Sequence, residues 1–432
     1  MFRIPLRRTS RDTAPWTLLV LAAGISTTLY PFVIGCAGPT EPTPLAATPQ
    51  ERWRQDLHFL AANLKKLHKE PFHRCKPGDF DQVVESLDRS IDSLEEHQII
   101  VGLMRLTNMI GDAHTRLLWR EHVGFGRYPL ELRWFADGLY VIGAAREYER
   151  ALGCRLEGIN GHKLRLACTV LSAVVPAENE QGFREAAPDF MVVPEILHAL
   201  GLSPSRDQAR FALEDPDGQP LVLDLRSQRR GATANWARLP GPLYLREARR
   251  FYRFEYLPDS KTLYCQYNIC ANQKDEPLAQ FVERMFRFVD EHPVDRFVLD
   301  LRNNGGGDSS VAAPLIARLK SHDTLNRRGR FFVIVGRGTF SSAAMNAVEL
   351  RQRTEAILVG EPTAQKPNHF GEVRSFRLPH SGLTVEYSTK YFQLVDGDAP
   401  SIMPDVCVAM TFAQYLAGRD PALDAILEMA IE

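Results

Sequence analysis

Residues 297–308 read Phe-Val-Leu-Asp-Leu-Arg-Asn-Asn-Gly-Gly-Gly-Asp, a mostly apolar run that leads into three consecutive glycines. The run Phe297–Leu301 is typical of a buried strand. A glycine turn between a strand and a helix can direct main-chain N–H groups toward a ligand, although a simple tight turn has the same composition. The fingerprints of dinucleotide and nucleotide-phosphate loops do not occur here, so an oxyanion hole for acyl transfer is the better functional interpretation.

Strands and helices alternate on both sides of this turn. The pattern predicts strands at Thr262–Tyr267, Arg296–Leu301, Arg330–Val335 and Ala356–Val359. It predicts helices at Pro277–Glu291, Ser309–Leu319 and Ser341–Gln352. Regular alternation of this kind indicates an α/β domain, here over residues 245–415.

A pair of serines lies where the third predicted strand leads into a helix, in Gly338-Thr339-Phe340-Ser341-Ser342. A hydroxyl at a helix N-terminus lies where developing negative charge is favoured, which suits a nucleophile. The plainer interpretation is that Ser341 or Ser342 only caps the helix.

Lys366 follows the fourth predicted strand, in Gly360-Glu361-Pro362-Thr363-Ala364-Gln365-Lys366. Most lysines are solvated surface charges. To act as a general base, the lysine would need its pKa lowered from about 10.4 toward about 7–8, which requires about 4 kcal/mol of desolvation. An apolar pocket around the amine is therefore expected if Lys366 is a base.

Taken together, the three elements resemble the tail-specific (carboxy-terminal processing) serine proteases. The family motifs match Asp300–Gly307, Thr339–Ser341 and Gly360–Lys366, and the separation of 25 residues between Ser341 and Lys366 matches the family spacing. The resemblance implies a catalytic domain with the ClpP/crotonase-like spiral fold and a reaction without a cofactor.

The resemblance also implies roles for particular residues. Ser341 would be the nucleophile and Lys366 the general base, while the N–H groups of Gly306 and Ser342 would hold the oxyanion. Ser342 is a rival nucleophile, because the two serines are adjacent.

An upstream segment, Gly111-Asp112-Ala113-His114-Thr115, resembles another element of the family. It implies that His114 reaches the active site, as in tricorn-type relatives that use a Ser–His pair, whereas a helix-ending turn is the plainer alternative. The chain has Ala344 and Phe370 where the family often has glutamate and glutamine. Three residues are therefore candidates for orienting Lys366: His114, Glu372 and Asp398.

Two further regions precede the α/β domain. Apolar residues at steps of three and four from Trp53, over Phe80–Leu94 and over Ile99–Ile110 predict a helical domain at residues 51–122. Residues 128–235 show short alternating runs separated by turn dipeptides such as Asp137-Gly138, which predicts a β-rich region. Residues 138–165 resemble the core of a PDZ domain, which would bind a peptide by adding it as a strand to a sheet edge.

The first 50 residues are expected to lie outside the fold. A basic start and the uncharged stretch Thr17–Gly35 predict an export signal at residues 1–35, followed by a Pro/Thr-rich tether at residues 36–50. Val33-Ile34-Gly35-Cys36 resembles a bacterial lipoprotein cleavage box with Cys36 as the lipidated residue; a cleaved secreted protein and a signal anchor are the alternatives. All three place the body of the protein outside the cytoplasm. The expected location is the bacterial cell envelope, with membrane contact only through Cys36 or an N-terminal anchor.

Composition narrows the possibilities further. The 432 residues carry a net charge of −1 with 44% apolar residues, which excludes a polytopic membrane chain and gives no general attraction to nucleic acid. The six cysteines after Cys36 specify no disulfide framework, so buried free thiols are expected, with a Cys265–Cys270 pair as the alternative. No metal site is predicted, because His68, His73 and Cys75 lack a fourth zinc ligand at a sensible spacing.

The sequence thus predicts an exported serine endopeptidase that cleaves unfolded or tail-exposed polypeptides through a Ser341–Lys366 dyad. The alternative is a catalytically inactive envelope protein that binds peptides on the same fold. Acyl transfer on a small ester or thioester is disfavoured in an exported protein.

Overall fold

A computed structural model describes residues 48–120, 123–229 and 235–431. The predicted export signal, Cys36 and most of the predicted tether lie outside these residues. None of the helices in the described ranges combines the length and the apolar character needed to cross a membrane.

The described chain begins with three helices, α1 (Pro49–Leu67), α2 (Pro77–Ser90) and α3 (Glu96–Ile110). Helix α1 begins two residues before the predicted boundary at residue 51, because Thr48 caps it and proline is tolerated in a first helical turn. The Thr48 hydroxyl accepts the Glu51 N–H at 3.2 Å, and the Glu51 carboxylate accepts the Thr48 N–H at 2.9 Å. Helix α3 ends at Gly111, whose φ of 91° turns the chain into the loop that carries His114.

The next part of the chain combines strands with short helices. The strands are β1 (Arg116–Leu118), β2 (Leu130–Phe135), β3 (Gly138–Ala145), β4 (Arg155–Ile159), β5 (His162–Lys163), β6 (Gln208–Glu214), β7 (Pro220–Arg226) and β8 (Trp236–Arg238). The helices are α4 (Leu164–Leu171), α5 (Glu180–Phe190) and α6 (Pro194–Ala199). Seven of these strands form one sheet in the order β2-β3-β4-β6-β7, with β5 on β4 and β8 on β3. The helices α4 to α6 were not predicted, because they are short and α5 contains Pro188.

The carboxy-terminal part contains the remaining elements. The strands are β9 (Tyr252–Leu257), β10 (Thr262–Tyr267), β11 (Arg296–Asp300), β12 (Phe331–Val335), β13 (Ile357–Gly360), β14 (His369–Arg377), β15 (Thr384–Phe392) and β16 (Val406–Cys407). The helices are α7 (Leu278–Glu291), α8 (Ala313–Lys320), α9 (Ser342–Arg353), α10 (Phe412–Leu416) and α11 (Pro421–Glu428). The mixed α/β architecture predicted from the sequence is confirmed.

A six-stranded sheet in the order β16-β13-β12-β11-β10-β9 forms the centre of this part. Its strands pair in parallel except for β9, which is antiparallel to β10. Every residue of β10, β11 and β12 is buried, which explains why these strands appear in the sequence as nearly unbroken apolar runs. Since β11, β12 and β13 are adjacent and parallel, the turns that follow them lie at one edge of the sheet.

A three-stranded sheet in the order β1-β15-β14 joins the amino-terminal and carboxy-terminal parts of the described chain. Arg116 of β1 pairs with Glu386 of β15, although 270 residues separate them in the sequence. This pairing brings the loop before β1, and with it His114, to the carboxy-terminal part of the molecule.

The six described cysteines are free thiols. Cys265 and Cys270 are both buried and do not form the disulfide that the sequence left open as an alternative.

Candidate active site

Ser341 lies in a strained turn between β12 and α9. Its φ of 52° and ψ of −126° are unusual for a residue with a side chain, and such conformations cost about 1–3 kcal/mol. The turn is held in place by two main-chain hydrogen bonds. The Ser341 N–H donates to Oε1 of Gln365, and the Phe340 N–H donates to the Asn304 carbonyl at 3.0 Å. Nucleophilic serines of other enzymes lie on strained strand-to-helix turns of this kind.

The glycine turn packs directly against this serine. Gly306 has a φ of 106°, and a Cβ placed on it would lie 2.6 Å from Cβ of Ser341. Any side chain at position 306 would therefore displace Ser341. A Cβ on the neighbouring Gly305 would meet no atom within 4 Å, so the requirement for glycine is specific to position 306.

The two serines differ in what their hydroxyl groups contact. The Ser342 hydroxyl donates to the Gly307 carbonyl at 2.6 Å, and the residue is buried. The Ser341 hydroxyl has no hydrogen-bond partner among the described residues. This difference favours Ser341 over its rival as the nucleophile, because a hydroxyl that is already bonded must first be released.

The two amides predicted to hold the oxyanion also differ. The Gly306 N–H already donates to Oδ1 of Asn304 at 2.9 Å. The Ser342 N–H is the first amide of α9 and has no acceptor within the described parts of the chain. Unpaired amides at a helix N-terminus are suited to bind an anion.

A buried ion-pair network fixes the start of the glycine turn. Arg302 contacts Asp300 and Asp420, at 2.6 Å in each case, and Asp300 also accepts the Tyr264 hydroxyl at 2.5 Å. Asp420 is the N-cap of α11. The carboxy-terminal helix therefore contributes to the position of a turn more than 100 residues earlier in the sequence.

Lys366 does not lie in the apolar pocket that was expected for a neutral amine. Its Nζ contacts Oδ1 of Asp398 at 2.8 Å and Oδ2 at 3.1 Å, and 31% of the lysine side chain is exposed. The amine is therefore paired with a carboxylate and is not enclosed by apolar side chains. Of the three residues predicted to orient Lys366, Asp398 is the one in contact with it. Glu372 is exposed on β14 and makes no hydrogen bond with Lys366.

His114 is buried beside the serine turn. Its ring centre lies 4.6 Å from that of Phe340, the residue before Ser341, and the residue is 7% exposed. Neither ring nitrogen meets hydrogen-bond geometry with a described residue. Burial lowers the pKa of His114 to about 4, although Asp112 and the main chain of Phe370 oppose the shift. This environment favours the uncharged imidazole, in which one ring nitrogen carries a hydrogen and the other can accept a proton.

The loop that carries His114 is held by the carboxylate of Asp112. Oδ1 accepts the N–H groups of His114 and Thr115 and the hydroxyl of Ser388, each at 2.9 Å. Oδ2 contacts Nε2 of His68 at 2.8 Å. Burial alone would raise the pKa of Asp112, but these hydrogen bonds, led by that from His68, bring it below its usual value. His68 thus supports this loop through its hydrogen bond with Asp112. It is not paired with Cys75, the possible zinc ligand considered in the sequence.

The described residues hold one grouping of possible metal ligands, in which ligand atoms of Glu95, His97 and His198 lie within 4.8 Å of one another. Arg206 contacts the Glu95 carboxylate at 2.8 Å, and this positive charge disfavours a bound cation.

A cleft of about 720 Å³ opens beside the serine and glycine turns. Phe340 and Gly305 line it from the carboxy-terminal part, and it is rich in aromatic side chains, which include Trp119, Trp134, Phe135, Phe190 and Tyr244. Arg133 also faces the cleft and donates to the Tyr244 hydroxyl at 3.2 Å. The cleft offers a large, mainly apolar surface next to the candidate nucleophile.

Sequence reasoning missed Gln365 and Asn304 as parts of the site. Both act through oxygen atoms that hold main-chain N–H groups, of Ser341 and of Gly306. Both belong to the motifs that the sequence analysis used, so their place in those motifs was the available signal. Their partners could not be identified before the turns were seen together.

No family model matches this chain, and no curated protein matches it either. Solved structures do match. One is a structure of mature CPAF complexed with lactacystin, with a TM-score of 0.57, 12% identity, and coverage of 87% of this chain and 97% of that chain. A second structure of mature CPAF has a TM-score of 0.55 at 12% identity, covering 87% of this chain and 96% of that chain.

The photosystem II D1 C-terminal processing protease matches at a TM-score of 0.40 and 14% identity, covering 82% of this chain and 93% of that chain. The fold is therefore assigned from the likeness to CPAF. CPAF is a serine peptidase of the tail-specific family. At this level of identity the likeness identifies the fold. The chain therefore shares the fold of CPAF, in agreement with the family that its three motifs resemble.

Proposed function

We propose that this chain is a serine endopeptidase that cleaves peptide bonds in unfolded or tail-exposed polypeptides, with Ser341 as its nucleophile. One observation carries the proposal: an unbonded serine hydroxyl projects from a strained turn at the start of α9, against Gly306. Strain of this kind is concentrated at functional sites, and a helix N-terminus favours the charge that develops during acyl transfer. The fold shared with CPAF supports the same class of reaction.

We assign the role of general base to His114. A base must be uncharged before it accepts the proton, and burial keeps the His114 ring neutral at ordinary pH. Neither ring nitrogen meets hydrogen-bond geometry with a described residue, although the main chain of Phe370 lies close enough to affect its pKa, and the ring stacks on the residue before Ser341. Catalytic hydrogen bonds are often long in the absence of substrate and shorten in the complex, so a direct Ser341–His114 hydrogen bond is expected once a polypeptide fills the cleft.

Lys366 is the second candidate for the base, because of the motif spacing. Its amine is already paired with Asp398, and this contact would have to break before the amine could take the Ser341 proton. In the reaction with His114, the Ser341 oxygen attacks a peptide carbonyl while its proton moves to the imidazole. The imidazole then protonates the leaving amine, and water releases the acyl group by the reverse sequence.

The oxyanion would be held first by the Ser342 N–H. The Gly306 N–H can join it after leaving Asn304, a rearrangement that substrate binding would have to drive. No cofactor takes part in these steps.

The finer features of the architecture belong to the same proposal. We assign the parallel sheet of the carboxy-terminal part to the ClpP/crotonase-like spiral, and residues 128–235 to a PDZ-like region. The last strand in the order of the seven-stranded sheet is β7, where a substrate segment could add as a further strand.

Export through residues 1–35 completes the proposal, with the body in the bacterial cell envelope and lipid attachment at Cys36. Intact-mass measurement of the protein made in a bacterial host tests this directly. A mass that begins at a diacylated Cys36 supports lipidation, whereas a mass that still includes residue 1 contradicts cleavage. Polypeptides are the expected partners, and nucleic acid is not.

The test of the function is cleavage of an unfolded protein by the purified wild type, Ser341→Ala, His114→Gln and Lys366→Met. We expect both Ser341→Ala and His114→Gln to lose at least about 10³-fold in kcat/KM, since each removes a proton-transfer partner. Lys366→Met should stay within about tenfold of the wild type. Thermal unfolding of each variant shows whether the fold is kept.

Other results would change the assignment. Loss in Lys366→Met with activity kept in His114→Gln would make Lys366 the base. A folded wild type that cleaves nothing but binds unfolded chains would favour the inactive peptide-binding protein. Full activity in Ser341→Ala would contradict the nucleophile.

A further inference from the structure

Glu178 lies between α4 and α5 and connects the two segments that carry the candidate site residues. One carboxylate oxygen accepts the Ala113 N–H at 3.4 Å, and the other accepts the Lys366 N–H at 3.1 Å. Ala113 precedes His114. Lys366 follows Gln365, whose side chain accepts the Ser341 N–H. A single carboxylate is thus one residue from the proposed base and one residue from the side chain that holds the nucleophile.

We propose that Glu178 is a positioning residue for the reaction proposed above: its carboxylate holds the His114 loop and the Gln365 segment at a fixed separation, so that the imidazole faces the Ser341 hydroxyl. This inference rests on the proposed function. Glu178 does not touch the reacting atoms in this scheme, and it acts through the two main-chain segments that it joins.

The segment that carries Glu178 is itself fastened to the same part of the molecule. The Asn179 side chain donates to the Thr363 carbonyl at 3.1 Å and to the Ser401 hydroxyl at 3.0 Å. A Cβ on Gly182 would lie 2.9 Å from the Ala364 carbonyl oxygen, so the start of α5 lies directly against this chain. The carboxylate is therefore placed by three contacts that do not depend on its own hydrogen bonds.

A carboxylate is the side chain that suits both partners. Both partners are N–H donors, so both oxygens must accept. Glutamine has the same length but would turn an NH₂ group toward one of the two donors. An ionised carboxyl group accepts at both positions, whereas a protonated one presents a hydrogen at one of them.

The surroundings of Glu178 bring its titration near neutral pH. Burial is the main cause that raises its pKa to about 7, the Lys366 N–H opposes this, and the charge of Asp112 adds to it. The other titratable and charged groups of this cavity, which has a volume of about 650 Å³, are Glu70, His73, Arg74, Lys366, Asp398, His369 and Tyr391. Lys366 and Asp398 neutralise each other, and burial lowers the pKa of His369.

The titration of Glu178 predicts the direction in which activity changes with pH. Above about pH 7, Glu178 is ionised and holds both segments; below it, protonation releases one of them, and activity falls. Burial lowers the pKa of His114 to about 4, so its titration is expected well below this range, and the Glu178→Gln variant separates the two groups. A rise in activity through pH 7 is therefore the expected signature of Glu178.

The experiment compares full-length wild type, Glu178→Gln, Glu180→Gln and Ser341→Ala on an uncharged peptide substrate between pH 5 and 9. Glu180 is a matched control, because it lies two residues away, is exposed, and pairs with Arg184 at 2.6 Å on the surface of α5. We expect Glu178→Gln to lower kcat by about 10²-fold with KM within about threefold, as for a loss of alignment. We also expect it to lose the rise near pH 7, while Glu180→Gln matches the wild type in both respects.

The outcomes separate the inference from the function on which it rests. If wild type cleaves, Ser341→Ala does not, and Glu178→Gln keeps both the wild-type kcat and the rise near pH 7, the positioning role is overturned and the peptidase stands. If the wild type itself is inert, the peptidase function and the positioning role of Glu178 are both contradicted. Should Glu178→Gln fail to fold, the shorter Glu178→Asp decides: a loss of kcat with KM little changed supports the role, and a wild-type kcat overturns it.

Discussion

The side of the site that carries the nucleophile is held by main-chain geometry, whereas the side that carries the candidate bases is held by buried carboxylates. Gly306 and Ser341 follow the adjacent parallel strands β11 and β12, and they lie so close that a Cβ on Gly306 would overlap that of Ser341. His114 and Lys366 come from distant parts of the chain, and the carboxylates of Asp112 and Glu178 fasten their segments. We expect these two sides to respond differently to mutation, because glycine geometry fails through steric overlap and a carboxylate fails through lost hydrogen bonds.

The two candidate bases illustrate the same contrast at a finer level. His114 is buried and unpaired, so its environment determines its charge. Lys366 is partly exposed and paired with Asp398. The spacing of residues in a motif therefore does not by itself specify the electrostatic environment of each residue.

The largest expected effect on stability concerns the side of the site that carries the candidate bases. Asp112→Asn replaces one carboxylate oxygen by an NH₂ group in a cluster of four buried hydrogen bonds, and we expect it to lower the free energy of unfolding by about 3–5 kcal/mol. Asp398→Asn, whose side chain is 76% exposed, should cost no more than about 1 kcal/mol. Chemical denaturation of both variants measures the difference. Equal losses would show that the Asp112 cluster does not hold the base side.

The next prediction concerns the protonation of His114. Its pKa of about 4 in the folded chain lies below the usual 6.5, so the unfolded chain binds the proton first as pH falls. The stability that depends on neutral His114 is therefore complete above about pH 6.5 and is lost as pH falls toward 4, by about 3 kcal/mol.

This contribution is measured as the difference between wild type and His114→Gln in unfolding experiments from pH 4 to pH 7. Titration of Glu178 has the opposite sign and that of His97 the same sign, but both are present in the two proteins and cancel in the difference. Parallel curves for the two proteins would contradict a buried neutral imidazole.

On the nucleophile side, Gly306→Ala should lower kcat/KM by at least about 10²-fold, because the added methyl group displaces Ser341. Gly305→Ala is the matched control, since its Cβ meets open space, and it should stay within about twofold. Steady-state kinetics on a common peptide decide this. Equal effects at the two positions would mean that Gly306 does not fix the serine.

The smallest effect concerns the strain at Ser341. Glycine adopts positive φ readily, so Ser341→Gly should raise the free energy of unfolding by about 1 kcal/mol while abolishing activity. Ser342→Gly should instead destabilise the protein, because it loses a buried hydrogen bond and lies in a helix. If both variants lose stability, the turn stores no strain.

Much of the carboxy-terminal fold could be predicted from the sequence. Strand β10 matches its predicted bounds, and β11, β12 and α9 differ from theirs by a residue or less at each end, because strands buried on both faces are unbroken apolar runs. Strand β9 and the hairpin of β14 and β15 were not predicted. Their apolar and polar residues alternate on half-exposed surfaces, which gives a weaker pattern.

Local composition was sufficient to predict the buried strands β10 to β13, the glycine turn and the serine that follows β12. Each of these features depends on residues that are neighbours in the chain. The partner of Lys366, the burial of His114 and the bridging position of Glu178 emerged only from packing. Each depends on segments that are far apart in the sequence and are brought together by the pairing of β1 with β15 and by the start of α5. Charge states in the site follow from those contacts, since burial and neighbouring charges shift proton affinity and neither is visible in a motif.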